Sequence, residues 1–131
     1  MRTIELEQEI KRAESFDADM IEANAAPVFS DVINCILAEK EIRRSDLIRK
    51  LNYDRNYGYQ ILNGRRIPTK RQIIEIALCV GISTEQLQQL LKICGREGLY
   101  VRNIEDAKVM YALEHNYKFE QAMEFIWGDE Y

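Results

Sequence analysis

From Pro27 onward the apolar residues of this chain recur at helical spacing, and turn-forming residues punctuate them at regular intervals. Val32, Ile33, Ile36 and Leu37 form a stripe, and Ser30 is placed to cap a helix that runs to about Lys40. After a connector at 41–43, a helix is predicted over 44–51 with Leu47, Ile48 and Leu51 inward. Asn52 then stands where a helix end enters the left-handed region, which Asn tolerates better than most residues. Asp54 is an N-cap for a third helix over 55–62, closed by Asn63 and Gly64. Thr69 caps a fourth helix carrying Ile73, Ile74, Ile76, Ala77 and Val80, and Gly81 ends it. Ser83 and Gln86 make a capping box for a fifth helix with Leu87, Leu90, Leu91 and Cys94, stopped by Gly95. The loop at 98–103 is expected to pack Leu99 and Tyr100 down. Asn103 caps a sixth helix containing Ile104, Ala107, Met110, Tyr111 and Leu113, with Asn116 at its close. A seventh carries Phe119, Ala122, Met123 and Ile126 to Trp127. No stretch alternates as a strand would, so the fold class is all-α.

The organisation that follows is a five-helix domain at 27–95, a C-terminal helical extension at 96–131, and an acidic N-terminal arm at 1–26. In the arm Leu6, Ile10 and Ala13 share a helical stripe that Thr3 can cap, and the Ala/Asn/Asp-rich stretch 17–26 reads as a linker. Such an arm is either mobile with a nascent helix or docked. The domain through Gly95 looks complete in itself. The C-terminal pair then needs a surface for Met110, Tyr111, Phe119, Met123, Ile126 and Trp127. Either the domain's own flank or the same segment of a second subunit supplies it, and the second option gives a twofold homodimer through the fifth helix and this pair.

Composition changes the picture mainly through charge. The chain has 131 residues, 47% of them apolar, enough for one helical core. Its net charge is −4, but residues 43–71 hold nine Lys/Arg against Asp46 and Asp54, a +7 block inside a −11 remainder. Any affinity for a polyanion must therefore come from one local face. No apolar run approaches a membrane span, and the acidic start is no signal peptide, so a cytoplasmic protein is expected. Cys35, Cys79 and Cys94 are far apart and lie in apolar helical contexts, which reads as three small core residues. There is one histidine, His115, no metal-ligand spacing, no phosphate-binding Gly loop and no nucleophile with a base. Neither an enzyme nor a metal or cofactor site is expected.

Residues 41–88 resemble the lambda-repressor-like helix-turn-helix family of phage repressors, Cro proteins and xenobiotic-response-element-type regulators. Leu47, Leu51, Asn63-Gly64, Pro68, Ile73, Ile76-Ala77 and Val80-Gly81-Ile82-Ser83 fall on family positions of the same or similar type, without a gap. Four places depart from it. The first motif helix carries Ile48 where the family usually has Ala, the turn carries Asn52 for Gly, and the recognition helix carries Gly58 for Ile or Val. If Ile48 and Gly58 face each other, the exchange roughly conserves volume, which cores tolerate. Arg43 replaces the usual Ser cap of the first motif helix.

The resemblance implies a sequence-specific regulator of double-stranded DNA, repressor-type, whose second motif helix reads the major groove. The readers carried over are Arg55, Asn56, Tyr59 and Gln60. Arg can grip guanine bidentately, and Asn and Gln can pair with adenine. Arg43, Arg44, Tyr57, Asn63, Arg65, Arg66, Lys70 and Arg71 flank them as phosphate contacts, which position without carrying sequence information. Arg49 and Lys50 read as solvated charges. Tyr53 and one of Tyr57 and Tyr59 read equally well as half-buried. A competing role on the same scaffold is a protein-interaction module, adaptor or antitoxin-like, with a partner held through the helices.

Overall fold

The computed structural model describes residues 18–128, with side chains from Asn24 onward. The expected stripe of Leu6, Ile10 and Ala13 lies outside the described residues. Among those described there are seven α-helices and no strand: α1 (Ala18–Glu39), α2 (Arg44–Leu51), α3 (Arg55–Leu62), α4 (Lys70–Val80), α5 (Thr84–Ile93), α6 (Ile104–Glu114) and α7 (Phe119–Trp127).

Local chemistry sets most of the boundaries. Asn52 ends α2 at φ 58°, and Asp54 caps α3 by accepting from the Tyr57 amide at 3.1 Å. Thr69 with Gln72 and Ser83 with Gln86 form complete capping boxes on α4 and α5. Asn103 caps α6, and Asn116 follows it at φ 54°. Arg43 precedes α2 with no side-chain cap at all.

The first helix departs from its expected limits. It does not start near Ser30 but runs from Ala18 through Pro27 without a break. A helix-interior proline costs roughly 3 kcal/mol, and here Ala25, Ala26, Val28 and Phe29 around it are all buried. Their burial offsets that penalty and turns the expected linker, from residue 18 on, into helix. Ser30 is therefore not a cap. It is buried one turn into the packed half of α1, and its hydroxyl donates to the Leu62 carbonyl at 2.6 Å. The Asn34 amide donates to the same carbonyl at 2.8 Å. A last-turn carbonyl has no intrahelical partner, so α1 supplies the end of α3 with two donors. Gly64 lets α1 come this close: a Cβ there would sit 3.1 Å from Pro27 Cα and 3.2 Å from Ser30 Cβ.

At the centre is α4, which packs against α2, α5, α6 and α7, while α1 covers α3 and α5. One apolar core joins all seven helices, from Phe29 and Ile33 through Leu47, Ile61, Ile73 and Leu87 to Val109, Ala122 and Trp127. The C-terminal pair lies on the flank of its own chain. Trp127 and Ile126 are buried, and Met110, Phe119 and Met123 are half-buried against the same core, whereas Tyr111 stays exposed. The helices up to Gly95 thus share one continuous core with α6 and α7. Leu99 packs down as expected; Tyr100 does not, because its backbone amide is held by the buried Asp106 carboxylate and its ring points outward. Cys94 is buried and Cys79 half-buried, but Cys35 lies on the exposed side of α1 and is no core residue.

Candidate nucleic-acid interface

Two eight-residue helices, α2 and α3, form the first part of the basic segment 43–71, and the packing between them decides which of their side chains face out. Gly58 is buried against Ile48: a Cβ at 58 would meet Ile48 Cγ1 at 2.8 Å, Cγ2 at 2.9 Å and Cδ1 at 3.1 Å. The large residue of one helix fills the space vacated by the small residue of the other. Gly58, Ile61 and Leu62 face inward, so the opposite stripe at i, i+3, i+4, i+7 presents Asn56, Tyr59, Gln60 and Asn63. Asn56, Gln60 and Asn63 are exposed, as is Arg55 in the first turn, and α3 contains no acidic residue.

Tyr59, expected as a base reader, is half-buried. The Arg44 guanidinium lies 5.4 Å from its ring centroid and that of Arg55 lies 5.9 Å away. The ring also forms a wall of two separate surface hollows, one shared with Arg55 and the other with Arg43 and Arg44. Both guanidiniums thus sit in the attractive range of one aromatic ring. Arg44 also donates to the Asn63 amide oxygen, which leaves the Asn63 NH2 group as its donor toward an anion. Tyr57 faces elsewhere. Its hydroxyl donates to Gln72 Oε1 at 2.9 Å, and Arg66 lies 5.0 Å above its ring. Tyr53, half-buried beside it, donates to Glu75 at 2.6 Å; burial first, then this hydrogen bond, push its phenol pKa well up.

The basic block, continuous in sequence, divides in space. Arg44 and Arg55 lie over the Tyr59 ring in the outward stripe of α3 and Arg43 lines the hollow beside it, while Arg65 and Arg66 stand in the turn after α3, Arg66 over Tyr57. Lys70 was expected on phosphate, but its ammonium lies 3.3 Å from both the Asp106 carboxylate and the Gly98 carbonyl, tying α4 to the loop before α6. Arg71 stacks 4.3 Å from the Trp127 ring and pairs with Glu75 at 4.0 Å, so it serves the α4–α7 contact. Lys50 lies 6.0 Å from the Phe119 ring on the same side. Arg43 shares Asp46 with Arg49, at 2.8 Å for the Arg43 contact, so these two cations are partly neutralised. These are exposed pairs, worth at most about 1 kcal/mol, and a phosphate can displace them.

Nothing in the sequence pattern marked Ser30, Asn34 and Asp106 as structural donors and acceptors. The available signal was a polar residue inside an apolar stripe, as Ser30 is between Ala26 and Ile33. Among the described residues no group of His, Cys, Asp and Glu could hold a metal ion, and no helix is long and apolar enough to cross a membrane. Comparison of the chain with protein-family models, with curated proteins and with solved structures finds no match in any of the three.

Proposed function

We propose that the protein binds double-stranded DNA in a sequence-specific way through a helix-turn-helix formed by α2 and α3, as a transcriptional regulator of repressor type. The observation that carries this reading is the outward stripe of α3. It holds two carboxamides able to pair with adenine, Asn56 and Gln60, has no carboxylate, and is bordered by Arg43, Arg44 and Arg55, with Arg65 and Arg66 in the turn that follows. Arg55 and the two amides are the base readers. Arg43, Arg44, Arg65, Arg66 and the Asn63 amide hold phosphates, while Tyr59 steadies Arg44 and Arg55. Lys70 and Arg71, engaged with Asp106 and Trp127, contribute little.

A salt series on duplex binding tests this. Four arginine–phosphate contacts give a slope of log K against log salt near −3.6, at ~0.9 per contact. Arg65→Ala flattens that slope by about one and weakens all duplexes alike, whereas Arg55→Ala or Gln60→Ala relaxes one position of the consensus by ~1–3 kcal/mol. Association with a protein partner instead of DNA would lack this slope. A chain that retains no duplex from a random pool, or binds one independently of salt, refutes the assignment.

A further inference from the structure

The two motif helices part on one side to leave a hollow of about 320 Å³, at the lower end of the range for small-ligand sites. Ser45, Ile48 and Arg49 of α2, Tyr53 of the turn, and Arg55 and Tyr59 of α3 line it. Ile48 is its apolar floor. That side chain is buried and fills the space at Gly58, where a Cβ would meet three of its atoms within 3.1 Å. The two tyrosines are fixed in advance. Tyr53 donates its hydroxyl to Glu75 at 2.6 Å and sets its ring edge-on to Tyr57, with centroids 6.1 Å apart. Tyr59 is held by the guanidiniums of Arg44 and Arg55, at 5.4 and 5.9 Å. Neither ring needs to be ordered by an occupant, which lowers the entropic cost of binding one.

The charge at the rim decides what enters. Tyrosine rings alone would suit a cation, but Arg49 and Arg55 stand beside them and no carboxylate lines the hollow. Among the described residues Arg55 has no acidic partner. Arg49 is paired with Asp46, yet its side chain is 74% exposed, and an incoming anion can displace so open a pair.

We propose that this hollow is a binding site for a small planar aromatic carboxylate. Its ring system lies over Ile48 and against Tyr53 and Tyr59, and its carboxylate takes the fork of the Arg55 guanidinium. Each property of the ligand answers one part of the lining: planarity the tyrosine rings, an apolar body Ile48, negative charge the two arginines. The site shares Arg55 and Tyr59 with the proposed DNA face, so an occupant withdraws both from a duplex. Its test contains no DNA, and the two readings therefore fail separately.

Titration of the full chain with 2-naphthoate, followed by amide and tyrosine-ring shifts in NMR spectra, tests the site. About 13 heavy atoms at the efficiency of drug-sized ligands give a Kd on the order of 1 mM. Saturable shifts are expected at Ser45, Arg49, Tyr53, Arg55 and Tyr59. Arg55→Gln weakens binding at least about tenfold, the loss of a charge-assisted bond. It leaves the fold in place, because it removes an exposed cation from the first turn of a helix. Tyr59→Leu keeps an apolar side chain without the ring and weakens binding about threefold. Arg102→Gln removes an equal charge from the loop before α6 and leaves binding unchanged. Absence of saturable shifts up to tens of millimolar naphthoate overturns the proposal. So does an Arg55→Gln chain that binds as the wild type does, or an Arg102→Gln chain weakened as much as Arg55→Gln. Naphthylmethylammonium or inorganic phosphate that moves the same resonances with equal affinity overturns the ligand class.

Discussion

Adding one methyl group at Gly58 should destabilise this protein, although alanine is the better helix former. In a helix interior, Gly→Ala ordinarily gains ~1 kcal/mol. At position 58 the new Cβ would lie 2.8–3.1 Å from three atoms of Ile48, a branched core side chain that is itself buried. The void beside the pair, bounded by Leu47, Leu51, Ile61 and Ile76, measures only about 10 Å³, so the displaced atoms have nowhere to go. Overpacking of this kind costs ~1–3 kcal/mol, which outweighs the propensity gain and leaves Gly58→Ala destabilised by up to ~2 kcal/mol. Ile48→Ala alone opens a cavity and costs ~2–5 kcal/mol. Combined, the two changes should be less harmful than their sum by ~1–3 kcal/mol, because the methyl at 58 enters space that Ile48 has left. Urea unfolding of the wild type, both single variants and the double variant yields the coupling directly. Strict additivity, or a Gly58→Ala protein more stable than wild type, would refute the packing account of why this helix carries a glycine.

The C-terminal pair and the cysteines carry four further expectations. A chain ending at Gly95 loses the cover of α6 and α7 over α4, and should show a broad, weakly cooperative thermal transition by circular dichroism; a sharp transition would show the first five helices to be self-sufficient. Asp106→Ala leaves Lys70 without its carboxylate and Tyr100 N–H without its acceptor, a loss of up to ~3 kcal/mol for so buried a partner. Asp106→Asn, which keeps an acceptor, should lose less. Of the three thiols only Cys35 should react promptly with an aromatic disulfide reagent at pH 8, and Cys35→Ser should abolish that phase. Burial pushes Cys79 up to about 11 and Cys94 up to about 12. Between the unfolded thiol value and these, the folded state holds protons that the unfolded state has released, so both groups make stability fall as pH rises from about 9 toward 12. Stability that is flat or rising over that window would contradict the burial.

Features governed by three or four neighbouring residues were legible in the amino-acid order. Caps, capping boxes and positive-φ ends act within one helical turn. Thr69, Ser83, Asn103, Asn52 and Gly81 therefore mark their boundaries wherever the rest of the chain goes. The exchange of bulk between Ile48 and Gly58 was legible too, because two helices joined by a tight turn have little freedom in how they meet. What lay beyond reach depended on residues far apart in the chain. Pro27 and Ser30 look like the start of a helix until Phe29 and the Leu62 carbonyl are brought against them; burial and a donor–acceptor pair 32 positions apart then outweigh local preference. Lys70 and Arg71 belong to one basic run by sequence. Asp106 and Trp127, on helices that pack against α4, draw them away from Arg55 and Gln60. Charge is a property of the residue, but the face it serves is set by which helix covers its neighbours, and only the folded chain decides that.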